Sequence, residues 1–308
     1  MKALVTGGAG FIGSNVVDAL LARGHEVGVL DDLSTGRERN LEQAGERGAR
    51  LHVGNIADPH AVVAAMEAER PAVVFHLAAQ IDVRRSVEDP AYDTRVNVEG
   101  TAVLLEAARR TGVGRFVFSS TGGAIYGEAE TVPTSEEAPI QPLSPYGQSK
   151  FAAEGLCGLY SRLHGLSTVC LRYSNVYGPR QDPLGEGGVI AIFCGKALHG
   201  GRPTVFGDGL QTRDYVYVGD VVEANLAALG SGFEGSLNVG TGRETTVLEL
   251  IDALRVLRPD ADLAPEHAPE RLGEITRSAL DPARAAGALG WRAGTGLEDG
   301  LRATLAAA

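Results

Sequence analysis

Residues 2–13 read KALVTGGAGFIG, and the order of the rest of the chain follows from them. Lys2 to Thr6 is a short apolar run of strand length, and residues 11–23 carry apolar positions at helical spacing. Between the two, Gly7, Gly10 and Gly13 recur at every third position. A glycine turn from strand to helix lets the backbone approach a pyrophosphate, which the free amides of the helix N-terminus then bind. The same glycines also suit a plain tight turn, so the pattern needs context. It comes from the next apolar run, EVGVL (26–30), which ends in Asp31 and Asp32. A carboxylate at that point accepts hydrogen bonds from an adenosine ribose and repels a 2′-phosphate, which favours NAD over NADP. Arg37, close by in sequence, pulls moderately against that preference.

Further runs at 49–54, 72–78, 115–120 and 167–173 read as strands, and 59–69, 95–111 and 147–164 as helices between them. Strands alternating with helices predict an α/β fold of Rossmann type, a doubly wound parallel sheet with helices on both faces. After residue 174 the alternation gives way to Gly- and Pro-rich connections with shorter helices near 187–199, 219–229, 246–256 and 281–289. The expected organisation is an NAD-binding domain over 1–173 and a smaller C-terminal substrate-binding lobe over 174–308, with some segments returning to the first domain.

Composition narrows the function. A net charge of −11, with no long run of Lys or Arg, argues against a nucleic-acid partner. No apolar stretch reaches membrane-spanning length, and the N-terminus runs into a strand without a signal-peptide layout, so no membrane partner and a cytoplasmic location are expected. Cys157, Cys170 and Cys194 are too few and too scattered for a disulfide framework or a zinc site; they read as reduced packing residues, and no metal is expected.

The chemical signal lies in SPYGQSK (144–150), where Tyr146 and Lys150 are four residues apart. On a helix that spacing puts both on one face. An ammonium beside a phenol favours phenolate and lowers its pKa, as a general base working near neutrality requires. The spacing alone is common on surface helices. Upstream, FSSTGGAIYG (118–127) closes the fifth strand with Ser119, Ser120 and Thr121 at the carboxyl edge of the sheet, where α/β folds bind ligands. One of these hydroxyls is expected to hold the substrate hydroxyl whose proton Tyr146 removes.

Together, the glycine turn, strand-end Asp, hydroxyl cluster and Tyr-x-x-x-Lys resemble the extended short-chain dehydrogenase/reductase family, and within it the UDP-glucose/UDP-galactose 4-epimerases. The resemblance covers nearly the whole chain, through HLAAQ (76–80), NVEGT (97–101), LRYSNVYGPRQ (171–181), VFGDGLQTRDYVYVGD (205–220), LNVGTG (237–242) and RLGE (271–274). It implies Tyr146 as acid/base, Lys150 as its electrostatic partner and nicotinamide-ribose ligand, and Thr121 as the hydroxyl on the sugar O4, with Ser120 as the alternative because this loop is one residue longer than in many members. For the cofactor it implies the turn residues Gly7, Gly10, Phe11, Ile12 and Gly13. Asp31, Asp32, Ser34, Thr35 and Gly36 follow, with Asn55 and Ile56 around the adenosine. Leu77, Ala78, Ala79, Gln80, Asn97, Ser119 and Tyr173 complete the cofactor channel. Asn55 stands where the family usually has Asp.

For the substrate the resemblance implies Thr121, Tyr146, Asn175, Gly188, Val189, Phe206 and Arg213, then Arg271 and Glu274 at the phosphate and uridine ribose. Arginine suits this, since its planar fork pairs with phosphate oxygens. The activity implied is C4 epimerisation of a UDP-hexose with retained NAD, by a homodimer formed through 95–111 and 147–164. Dehydratases of the family carry Asp then Glu after the catalytic Thr; here Gly122 and Gly123 follow Thr121, which argues against dehydration. Ser278 matches a gate that is a bulky Tyr in relatives restricted to UDP-glucose and UDP-galactose, so UDP-GlcNAc and UDP-GalNAc are expected to enter as well. UDP-glucuronate, a dehydrogenase that releases its cofactor, and a non-enzymatic NAD sensor are the rival readings.

Overall fold

The computed structural model describes residues 1–183, 188–270 and 275–307. Seven strands form the central sheet: β1 (Lys2–Thr6), β2 (Glu26–Asp31), β3 (Arg50–Val53), β4 (Val73–His76), β5 (Arg115–Thr121), β6 (Ser167–Tyr173) and β7 (Gly235–Val239). They lie in the order β7-β6-β5-β4-β1-β2-β3, and every pairing is parallel. The main helices are α1 (Phe11–Ala22), α2 (Pro59–Glu69), α3 (Gly100–Thr111), α4 (Pro145–His164), α5 (Val189–His199), α6 (Val218–Gly230), α7 (Val247–Leu257), α8 (Ala283–Leu289) and α9 (Leu297–Ala306).

Alternation along the strands feeds two cores. Val5, Val29, Val117 and Leu171 point to one face, under α1, α6 and α8. Leu4, Leu30, Phe116 and Phe118 point to the other, under α2, α3 and α4. A third cluster joins Ile190 and Phe193 of α5, Leu250, Ile251 and Leu254 of α7, and Leu301 of α9 into the smaller lobe. Chain order reverses at β1, which has β2 on one side and β4 on the other. In sheets of this kind the crevice at such a reversal is where ligands bind.

Local chemistry sets the helix ends that matter. Ser144 accepts from the Gly147 amide and Pro145 takes the first helical position, so α4 starts at 145 rather than the expected 147 and Tyr146 lies inside it. Residues 95–111 do not form one regular helix. Arg95–Glu99 is a π-helical turn, with the Asn97 side chain tied to Gln80, Asp93 and Ser149. Such turns recur at functional sites. All three cysteines are free and buried, and no helix among the described residues is long and apolar enough to cross a membrane.

Sequence reading missed β7 and α9. In β7 only Leu237 and Val239 are apolar residues of the core, and the buried Asn238 is satisfied by Glu136, Thr134 and Tyr126, all about a hundred residues away in sequence. The smaller lobe meets the sheet through Asp214, which is fully buried. Its carboxylate accepts from the Thr241 amide and hydroxyl at 2.9 and 2.6 Å, from the Gly242 amide at 3.1 Å and from the Leu280 amide at 3.2 Å. Removing a buried acceptor strands its donors, at about 1–3 kcal/mol or more where the acceptor is charged. Asp214→Ala is expected to lower unfolding free energy by about 3 kcal/mol, read by urea denaturation; a loss below about 1 kcal/mol would refute this role.

Candidate active site

At the carboxyl ends of β1, β2, β4 and β5 lies a cleft of about 490 Å³, within the size range of small-molecule sites. Its floor is the glycine turn. Gly7 has φ +70° and a Cβ there would lie 2.6 Å from the Ala78 nitrogen; at Gly13 a Cβ would lie 2.1 Å from the Gly7 carbonyl oxygen. Neither position admits a side chain, so β1, α1 and the segment after β4 meet through bare backbone. No side chain caps α1 at Gly10, which leaves its first amides facing the cleft. Asp31 is buried and accepts from the amides of Ala9 and Leu33, each at 2.9 Å. Burial raises its pKa, and those two amide bonds oppose the rise.

Of the residues expected around the cofactor, Gly7, Gly10, Phe11, Ile12 and Gly13 line the cleft, as do Asp31, Asp32, Ser34, Thr35, Gly36, Asn55 and Ile56. Leu77, Ala78, Ala79, Gln80, Ser119, Tyr146, Lys150 and Tyr173 line it too. Asn97 does not; it stands behind the wall, its side chain bonded to the Gln80 backbone at 2.9 Å in both directions. Its amide is spent orienting Gln80. Arg37 is also committed, its guanidinium pairing with the Asp182 carboxylate. Ile81, Asp82, Arg85, Tyr92 and Val96 line the cleft without having been singled out in the sequence, because nothing local marks them.

At the β5 end of the cleft Tyr146 and Lys150 project from one face of α4. Lys150 is 3% exposed, and its Nζ lies 4.4 Å from the centroid of the Phe118 ring. The expected lowering of the Tyr146 pKa by Lys150 is not what the polypeptide produces. Partial burial pushes the phenol up to about 12, while the nearby Thr121 hydroxyl pulls it back and Asp93 pushes it further up. Lys150 rests on an aromatic face and is itself pushed down to about 8, by burial first. His76, at the end of β4, is held neutral by burial, with its pKa at about 3; it bonds Thr6 at 2.7 Å and Thr101 at 3.0 Å.

The hydroxyls at the end of β5 divide. Ser119 bonds Tyr173 at 2.9 Å, and Ser120 donates to Glu154 at 2.5 Å. Thr121, beyond them, is the hydroxyl close enough to the Tyr146 phenol to lower its pKa. A Cβ on Gly123 would lie 3.8 Å from Asn175 Oδ1 and 3.9 Å from Thr121 Oγ1, whereas a Cβ on Gly122 would strike Leu280 at 2.4 Å. Thr121 and Asn175 therefore share one corner of the site, and any side chain at residue 122 would have to displace Leu280. Arg213 donates to the Ile275 carbonyl at 2.7 Å, which draws it towards the segment holding Ser278. Gly188 begins α5 ahead of Val189, and Phe206 ends the strand Thr204–Phe206. Arg271 and Glu274 lie outside the described residues.

A family model, the NAD dependent epimerase/dehydratase family, matches residues 3–240. The chain belongs to that family. It is similar to a curated UDP-glucose 4-epimerase of Mycolicibacterium smegmatis, 48% identical over 99% of this chain and 97% of the relative. Among solved structures it is similar to a UDP-glucose 4-epimerase from Thermotoga maritima with UDP-glucose, at 46% identity, TM-score 0.96, and coverage of 100% of this chain and 98% of that one. A Thermus thermophilus UDP-glucose 4-epimerase in complex with NAD matches at 46% identity, TM-score 0.92 and the same coverage.

The site fits the cofactor of the family: the bare-backbone turn leaves room for a pyrophosphate, and Asp31 stands at the end of β2. Asn55, unusual in the family, has a local reason. Its Nδ2 donates to Asp32 Oδ2 at 2.7 Å and its Oδ1 accepts from the Ala57 amide at 2.8 Å. An Asp at 55 would set two carboxylates against each other at this rim. Asn55→Asp is expected to weaken NAD retention roughly two- to fivefold, as for a partly exposed charge pair, and Asp32→Asn added to it is expected to restore binding. Equilibrium dialysis of NAD against the single and double variants checks both; no rescue by the double variant would show that the pair is not coupled.

Burial of Lys150 also carries a stability cost. Its pKa falls from 10.5 to about 8 on folding, so the unfolded chain binds more protons between these values and stability rises with pH across that window. The gap corresponds to about 3 kcal/mol, present in full below pH 8. Stripped of cofactor, Lys150→Met is expected to be more stable than wild type by up to that amount at pH 7, with the difference closing by about pH 10.5. Urea titrations at several pH values test it, and a difference independent of pH would contradict the account.

Proposed function

We propose that this protein is an NAD-dependent isomerase that interconverts the C4 epimers of a UDP-hexose, UDP-glucose and UDP-galactose. The observation that carries the reading is the placing of Tyr146 and Lys150 on one face of α4 in the cleft, with the Thr121 hydroxyl beside the phenol and followed by two glycines that carry no acid. NAD, held by the glycine turn, Asp31 and Lys150, supplies when bound the oxidising and reducing chemistry at C4. Thr121 orients the sugar O4, and Tyr146 takes its proton as C4 is oxidised to the 4-keto level. Burial pushes the phenol up to about 12; a positive charge brought near it lowers that value. After the sugar turns about its diphosphate link, Tyr146 returns the proton with the opposite face presented.

In this reading residues 1–173 bind NAD and 174–308 bind the nucleotide sugar, with α6 and β7 returning to the first part. Asn175, Gly188, Val189, Phe206, Arg213, Arg271 and Glu274 hold the UDP portion. A small Ser278 leaves room for an N-acetyl group, so UDP-GlcNAc and UDP-GalNAc are taken as well. We also place the enzyme in the cytoplasm as a homodimer through α3 and α4. Phe151, Leu159 and Leu163 of α4, at 37, 38 and 66% exposure, are the apolar surface that supports this contact.

The test is incubation of the purified protein, without added NAD, with UDP-glucose, UDP-GlcNAc and UDP-glucuronate, the products being resolved from their C4 epimers. Conversion of the first two is expected, and Tyr146→Phe is expected to lower kcat by about 10²–10⁴-fold while retaining NAD. Conversion of UDP-glucuronate alone would move the substrate assignment. Absence of any C4 epimer after NAD is supplied would overturn the function.

A further inference from the structure

Glu154 and Arg172 form an ion pair inside the protein, with Nη2 to Oε2 at 2.6 Å and Nε to Oε1 at 3.0 Å. Glu154 is 7% exposed and Arg172 is 6% exposed. A buried ion pair is weak evidence for stability, because desolvating two charges costs about as much as their attraction returns, and apolar residues of similar volume often do as well. What this pair does beyond its own attraction lies in its remaining bonds.

Glu154 is on α4, four residues after Lys150 and eight after Tyr146, so it shares their side of the helix. Its Oε1 accepts from the Ser120 hydroxyl at 2.5 Å, and Ser120 and Arg172 are register partners on β5 and β6. Arg172 Nη1 in turn donates to the Tyr126 hydroxyl at 2.8 Å, and Tyr126 donates to Asn238 Oδ1 at 2.8 Å. Ser120 and Tyr126 bracket the segment 121–125, which carries Thr121 and contains two adjacent glycines. One end of that segment is therefore anchored to the carboxylate and the other to the guanidinium. A third hydroxyl, Ser236 on β7, also donates to Glu154, at 3.0 Å to Oε2, but stands on neither side of Thr121.

We infer that Glu154 and Arg172 are positioning residues for the reaction, a clamp that grips both ends of the Thr121 segment and ties it to the helix bearing Tyr146 and Lys150. The inference rests on the reading of Thr121 and Tyr146 given above. Neither charged residue touches the reacting atoms. Their effect is geometric: the Thr121 hydroxyl and the Tyr146 phenol must meet one sugar oxygen, and a misplacement of about 1 Å costs up to about 10²-fold in rate.

Replacing Glu154 or Arg172 alone would leave an unpaired buried charge and threaten the fold, so the test uses the hydroxyls. Ser120→Ala releases one end of the segment, Tyr126→Phe releases the other, and Ser236→Ala removes a comparable bond to the same carboxylate. All are compared with wild type for UDP-glucose epimerisation, bound NAD and thermal midpoint. Ser120→Ala and Tyr126→Phe are expected to lower kcat roughly tenfold, with KM and NAD content within about twofold of wild type. Ser236→Ala is expected to keep wild-type kcat with a similar thermal midpoint to Ser120→Ala. The inference is overturned if either clamp variant keeps kcat within twofold of wild type, or if Ser236→Ala lowers it as much as they do. A wild-type protein that does not epimerise UDP-glucose would instead remove the functional reading beneath it, and the inference with it.

Discussion

A contact of bare backbone on bare backbone sets the position of the rest of the site. At Gly13 the backbone lies so near the Gly7 carbonyl that a single methyl group would sit 2.1 Å from the oxygen. Because no atom intervenes, the start of α1 reaches down onto the end of β1, and β4 comes alongside through Ala78. Thr6 and His76 then bond across the gap at 2.7 Å, and His76 reaches Thr101 on α3. The cofactor cleft is the space left above this contact. Its location at the reversal of strand order is thus a consequence of packing as much as of topology.

Charges inside the protein follow a different logic. Lys150 is buried without an ion-pair partner among the described residues and is depressed by that burial, a state that stability alone would not select. Glu154 and Arg172 compensate each other, while Lys150 and Arg85 are cations that line the cleft. The Tyr146 phenol, partly buried on the same helix face as Lys150, is pushed up rather than down.

Selectivity is written in small features at the rim. Asp32 and Asn55 divide one carboxylate and one amide between two positions, so that a hydrogen bond replaces a repulsion. Arg37 is neutralised by Asp182, which removes the cation that would have favoured a 2′-phosphate. Leu280 fills the volume beside Gly122, and its own amide is held by Asp214. The space open to a side chain at residue 122 therefore depends on a loop more than 150 residues away.

The boundary between what could be read in advance and what could not follows from the range of the forces involved. The sheet strands from β1 to β6, the main helices other than α9, the glycine turn and the acidic end of β2 were legible because each rests on periodicity or on a conformational demand within a few residues. Most of the cleft-lining residues followed from these elements and from the family likeness, but Ile81, Asp82, Arg85, Tyr92 and Val96 did not. β7 was not legible, since Asn238 is satisfied only by partners about a hundred residues distant. Helical spacing put Tyr146 and Lys150 on one face, but the direction of the Tyr146 shift depended on burial, which no local pattern reports. The choice between Ser120 and Thr121 was likewise open in the sequence, where adjacent hydroxyls look equivalent. Only when Glu154 folds back over the end of β5 does one of them acquire an internal partner and the other the phenol. The chain by itself determined which chemical groups are present and in what order; the tertiary structure decided which of them are desolvated, paired or left free, because those properties belong to contacts between distant segments.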